Sequence, residues 1–134
     1  AYMSKEDCKD AVKAATKARA IFREQGDTGP ELEALTVMAN AHMDKQDYRD
    51  ALRIAEEALA VSRRAKDKTA EAMAQLLCSQ MYAMQARWAP ALRAVETSRQ
   101  LYEEMGDYDG RQCAEDYEAQ LKEAAREAGH YERP

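Results

Sequence analysis

The chain has 134 residues, 34% of them charged and 46% hydrophobic, with a formal charge of −5. A chain of this length fits one domain that buries roughly 68–70% of its unfolded surface. Alanine occurs 27 times against four Val, two Ile and five Thr, with only five Gly and three Pro. This mix favours helices and excludes an all-β or doubly wound sheet fold, which needs Val/Ile-rich runs. Normal apolar content also excludes disorder.

The charge is uneven. Residues 1–102 carry net +1 and residues 103–134 net −6, so the acidity is a C-terminal property and no nucleic-acid footprint is expected. No apolar run approaches the ~18 residues of a membrane span, so no membrane insertion is expected. Cys8, Cys78 and Cys113 match no zinc or redox spacing. They read as free buried thiols in a reducing, intracellular compartment, the cytoplasm first and an organelle second.

In chain order, six helices are expected over residues 5–25, 30–44, 47–65, 69–85, 88–105 and 109–128. Apolar positions recur at helical spacing, as in Leu35, Met38, Ala39, His42 and Met43, and in Leu52, Ala55, Ala58, Leu59 and Ser62. Pro30 and Pro90 each suit a first turn, where the missing N–H costs nothing. Gly26, Gly106 and Gly129 suit left-handed caps, and Asp47 can cap the helix after it. Connections of two to five residues make the neighbours antiparallel hairpins.

The chain repeats with a period of 40 residues. Gly26-Asp27, Lys66-Asp67 and Gly106-Asp107 coincide on this period, and so do Cys8, Tyr48 and Trp88. Small residues share three columns: Ala39, Ser79 and Ala119; Ala11, Ala51 and Ala91; Ala18, Ala58 and Ser98. Paired helices need small side chains where they cross closely. A ring-bearing column, Tyr2, His42 and Tyr82, follows, with side chains expected to wedge between helices.

This pattern resembles the tetratricopeptide repeat (TPR): a large apolar residue, then leucine-small, then an aromatic, then a small residue early in the second helix. The second repeat reads Leu35, Met38-Ala39, His42, Tyr48, Ala51, Ala58, and the third Gln75, Cys78-Ser79, Tyr82, Trp88, Ala91, Ser98. The period of 40 resembles the long-helix variety of kinesin light chains and spindle-orientation adaptors. The resemblance implies an all-α solenoid of antiparallel helix pairs with a right-handed superhelix. It divides the chain into an incomplete first repeat at 1–27, repeats at 28–67 and 68–107, a capping helix at 108–128 and a tail at 129–134. Ala1-Tyr2-Met3 align with Ala41-His42-Met43, so the chain is expected to begin inside a repeat. The helix that would cover Val12, Ala15 and Ile21 then belongs to upstream repeats or to another subunit.

In such repeats the first helix of each pair lines a concave groove. The resemblance therefore implies a partner-binding surface made of Thr36, Asn40, Met43, Met73, Leu76, Gln80, Met84, Asp116 and Gln120, open to an extended peptide or an amphipathic helix. The same comparison speaks against clamping of a carboxylate tail, because Thr36, Cys113 and Tyr117 stand where basic groups would be needed. No catalytic motif, cofactor motif or metal spacing is present. His42 reads as a packing residue rather than a ligand. The expected function is a non-catalytic protein-interaction module or scaffold. An accessory subunit of a larger complex, organellar or otherwise, and a ligand-sensing repeat domain of a regulator are the alternatives.

Overall fold

The computed structural model describes residues 5–129, with side chains for 9, 10 and 12–129. It contains six helices: α1 (Lys5–Gln25), α2 (Thr28–Asp44), α3 (Tyr48–Arg64), α4 (Lys68–Met84), α5 (Trp88–Met105) and α6 (Tyr108–Glu127). No strand occurs among the described residues. Each helix packs chiefly on its neighbours in sequence, α1 on α2 and so on to α5 on α6, which is the contact pattern of a solenoid. Tyr2, Ala1 and Met3, the Cys8 and Ala11 side chains, and the residues beyond Gly129 lie outside what is described.

The α2 to α6 starts, at 28, 48, 68, 88 and 108, repeat every 20 residues, half the period seen in sequence. The turns repeat with them. Gly26, Gln46, Lys66, Ala86 and Gly106 all have positive φ, between 56° and 70°. Every connection is thus the same left-handed turn, although only two of the five use the glycine that this conformation favours. The residue after each turn is the helix N-cap: Asp27, Asp47, Asp67, Arg87 and Asp107. Asp67 and Asp107 accept hydrogen bonds from the Ala70 and Gly110 amides at 3.0 and 2.9 Å. Asp27 and Asp47 make no side-chain cap, contrary to what the position of Asp47 suggests, and the Asp47 carboxylate lies 3.6 Å from His42 Nδ1.

The columns of small residues are close crossings in the middle helices, where Ala39, Ser79, Ala51, Ala91, Ala58 and Ser98 are all buried, but not throughout: Ala119 on α6 is exposed and Ala18 on α1 is half-buried. The Ser79 hydroxyl donates to the Ala91 carbonyl at 2.7 Å and ties α4 to α5. The Ser98 hydroxyl donates to the Ala72 carbonyl at 2.8 Å and ties the same helices again. At these two crossings the serine hydroxyl bonds to the neighbouring helix, since a buried hydroxyl without a partner is costly. Leu35, Met38, Ile54, Ala58, Val61 and Ala74 form one apolar cluster that joins α2, α3 and α4. Ala91, Val95 and Leu121, with Leu76 and Tyr117, form another that joins α4, α5 and α6.

Exposure at the two ends differs from the middle for the same reason. Columns buried at Ile54, Ala58 and Val61 and again at Ala94, Ser98 and Leu101 hold Ala14, Ala18 and Ile21 in α1, of which none is buried. The helices α3 and α5 each pack on two neighbours, and α1 packs on α2. Ala15 departs from the expected open face, because it sits inside the α2–α3 cluster. At the other end, the polar face of α6 is stitched to α5: Arg99 lies 3.2 Å from Glu118 and 3.1 Å from Glu103. Arg111 joins the same network through Glu103 and Glu115. Cys78 is buried as expected. Cys113 is exposed, contrary to its reading as a buried thiol, because its column also holds exposed Glu33 and Met73.

Candidate functional site

The exposed faces of α2, α4 and α6 carry the expected binding residues. On α2, Thr36 and Asn40 are exposed and Met43 is half-buried. On α4, Met73 and Met84 are exposed, and Leu76 and Gln80 are half-buried. On α6, Asp116 and Gln120 are exposed. The columns 33/73/113, 36/76/116 and 40/80/120 contain no buried residue, so the repeats present equivalent positions to solvent. One apolar cluster draws residues from α2, α3 and α4 and another from α4, α5 and α6, so the core links these three helices through α3 and α5.

The nine residues divide into two kinds. Met43 packs on Ala51, Leu52, Ala55, Cys78 and Met81, and Leu76 packs on Ala91, Val95 and Leu121, so both also support the core. Met73 and Met84 stand clear, at 59% and 54% exposure. The methionines therefore split: Met38 and Met81 are core, and Met73 and Met84 are free surface. Val37 belongs with the second group at 48% exposure, and the column reading passed over it. Its counterpart Leu77 is packed, so the repeat itself gave no sign that Val37 would be open.

Polar groups frame the apolar ones. The Thr36 hydroxyl is occupied, donating to the Leu32 carbonyl at 2.9 Å. Gln112 donates to the Asp116 carboxylate at 3.1 Å. Glu33 and Glu123 are exposed at the margins. Apolar area this exposed is favourable to cover. Methionine's flexible thioether fits irregular partner shapes.

The phenols of Tyr82, Tyr102 and Tyr117 have pKa values raised by burial. At Tyr117 a hydrogen bond with Ser79 opposes the shift. The Cys78 thiol is pushed up to about 12, chiefly by burial and secondarily by Glu56. A thiol so raised stays protonated at neutral pH and is a poor nucleophile. A shallow cavity of about 300 Å³ at the α5–α6 turn is lined by Tyr102, Glu103, Tyr108 and Arg111, among others, and by none of the nine expected binding residues. Among the described residues no helix is long and apolar enough to cross a membrane.

Comparison with known proteins gives the same architecture. The family model described as tetratricopeptide repeat matches residues 30–104, from the first turn of α2 nearly to the end of α5. The solved apo form of RapI is similar in fold, with a TM-score of 0.77 at 16% identity. The match covers 90% of this chain and 33% of RapI, so the chain spans about a third of that structure's length. No curated protein matches the chain. The repeated hairpins, the small-residue crossings and the family model agree: the chain belongs to the tetratricopeptide-repeat family of non-catalytic protein-interaction scaffolds.

Proposed function

We propose that the chain holds a segment of a partner protein against the exposed faces of α2, α4 and α6. The observation that carries this reading is the exposure of the apolar side chains Val37, Met73 and Met84, on helices that share one core cluster. Thr36, Asn40, Gln80, Asp116 and Gln120 supply polar positions around them, and Met43 and Leu76 form the floor. An amphipathic helix or an extended peptide would cover the methionines and meet the amide side chains along its edges. The 40-residue period and the helix starts every 20 residues support assignment to the long-helix TPR variety resembling that of kinesin light chains. The free thiols Cys78 and Cys113 support a reducing compartment, with the cytoplasm preferred.

A second reading, an accessory subunit of a larger assembly, is favoured by Ile21, which is 53% exposed where its equivalents Val61 and Leu101 are buried. The two readings use different surfaces, so substitutions separate them. Charged residues at Val37, Met73 and Met84 are expected to abolish partner binding while leaving the helical spectrum intact. Ile21→Glu is expected to leave that binding unchanged. Binding that survives the first set and is lost with Ile21→Glu would replace the groove reading with the subunit reading.

A further inference from the structure

We propose that His42, Asp47 and Asp50 form a binding site for a divalent transition-metal ion, bridging the α2–α3 hairpin. One ligand atom from each of the three lies within 4.8 Å of the others. His42 is near the end of α2, Asp47 is the N-cap of α3, and Asp50 is in the first turn of α3. The hairpin turn thus brings one nitrogen and two carboxylate donors to one point.

The observation that sets this group apart is the state of its histidine. The His42 side chain is only 13% exposed, and its Nδ1 is buried without a hydrogen-bond partner. Asp47 Oδ2 is 3.6 Å from it, too far for a hydrogen bond. Asp47, like Asp27 and unlike Asp67 and Asp107, makes no side-chain cap, so its carboxylate is not held by the α3 backbone. A carboxylate that makes no cap bond and a buried nitrogen without a hydrogen-bond partner thus lie 3.6 Å apart. A metal ion would fill that gap and satisfy both. Donors on one ion at roughly 2.0–2.2 Å stand roughly 3–4 Å apart. His42 and Asp47 already meet that spacing, and a rotation of the Asp50 carboxylate, 43% exposed, supplies the third donor. The competing contact is weak: Arg53 reaches Asp50 at only 3.7 Å and is itself 69% exposed.

The donor set selects the ion class. Imidazole with carboxylates suits zinc and its first-row neighbours, while magnesium and calcium prefer oxygen alone. The helix dipoles nearly cancel, since the negative end of α2 and the positive end of α3 meet at this turn. The α4–α5 hairpin, one repeat later, is an internal control. Tyr82, Arg87 and Pro90 occupy the three equivalent positions, and there the Arg87 guanidinium lies 4.9 Å from the Tyr82 ring centre. A cation is thus already built into that hairpin by the chain itself.

The test is calorimetric titration of the chelator-treated chain with zinc chloride, in a Cys113→Ser background because that exposed thiol would itself bind zinc. One zinc ion per chain is expected, with a rise in melting temperature. Asp50→Asn, an exposed change, should weaken zinc binding about tenfold or more, by the scale of metal-site substitutions. His42→Phe, which keeps a ring in place, should abolish it, and magnesium chloride should give neither heat nor stabilisation. Zinc binding that is absent, that is unchanged by Asp50→Asn, or that magnesium reproduces would overturn the proposal.

Discussion

Gly110 and Tyr102 fit as a pair: a methyl group at Gly110 would overlap the Tyr102 ring, with Cγ at 2.8 Å. One repeat earlier the same two positions hold Ala70 and Ser62. The larger ring of the later hairpin is accommodated by removing the side chain opposite it. Tyr102 is thereby buried against Ala72, Leu101 and Ala114, where α5 meets α6.

Gly110→Ala should therefore destabilise the chain by about 1–3 kcal/mol, the usual cost of overpacking. The cost should largely vanish when Tyr102 is also changed to Ser, the residue at the equivalent position 62. A double-mutant cycle by urea denaturation measures this coupling. Equal cost in both backgrounds would show that the two side chains are independent.

The left-handed turns predict gains. Lys66 and Ala86 hold φ near 56°, where a side chain costs about 1–2 kcal/mol, while glycine gives back roughly 0.5–1 kcal/mol in unfolded-state entropy. Lys66→Gly and Ala86→Gly should each stabilise by about 0.5–1 kcal/mol, and Gly106→Ala should do the reverse. Thermal denaturation of the three variants tests this, and a loss of stability in both glycine variants would contradict the turn geometry.

The N-caps predict a split among chemically identical residues. Asp67→Ala and Asp107→Ala each remove a cap hydrogen bond and should cost about 1 kcal/mol. Asp27→Ala removes no such bond and should cost clearly less. Denaturant midpoints at constant m-value distinguish the two classes.

Cys78 predicts a pH dependence. Its thiol ionises at about 12 in the folded chain, against 9.0 for the ordinary group. The unfolded chain then holds fewer protons than the folded one between these values. Stability from this group is complete below about pH 9 and falls as pH rises toward 12. Cys78→Ala should flatten the decline over that window. Alkylation followed by peptide mapping should label Cys113 rapidly and Cys78 only as the chain opens. Fast labelling of Cys78 at pH 8 would contradict its burial.

The helices were legible in the sequence because a gapless repeat makes each column report on the same packing position. The buried columns at Ala51 and Ala91, and at Ala58 and Ser98, followed from that directly. The left-handed turns were legible where they use glycine and, through the shared column, at Lys66. Gln46 and Ala86 carry no mark of a left-handed backbone, so the 20-residue rhythm stayed hidden behind the 40-residue one. Exposure of Thr36, Asn40 and Met73 followed from their columns. The supporting contacts of Met43 and Leu76 did not, since they depend on which neighbouring helix lies beneath. The His42, Asp47 and Asp50 group was illegible for a related reason: its members straddle a turn whose path brings together side chains read separately as packing, cap and surface.

The interaction surface is tested most directly by site-specific photo-crosslinking at Met73 in the full chain, with mass spectrometry of the conjugates. The same crosslinker at Arg53, exposed on α3, serves as the control face. A defined partner segment joined at position 73, absent at 53, and lost when Val37 and Met84 are made charged is the predicted result. Conjugates that are the same at both positions, or that persist in the charged variant, would contradict a binding site on the α2, α4 and α6 faces.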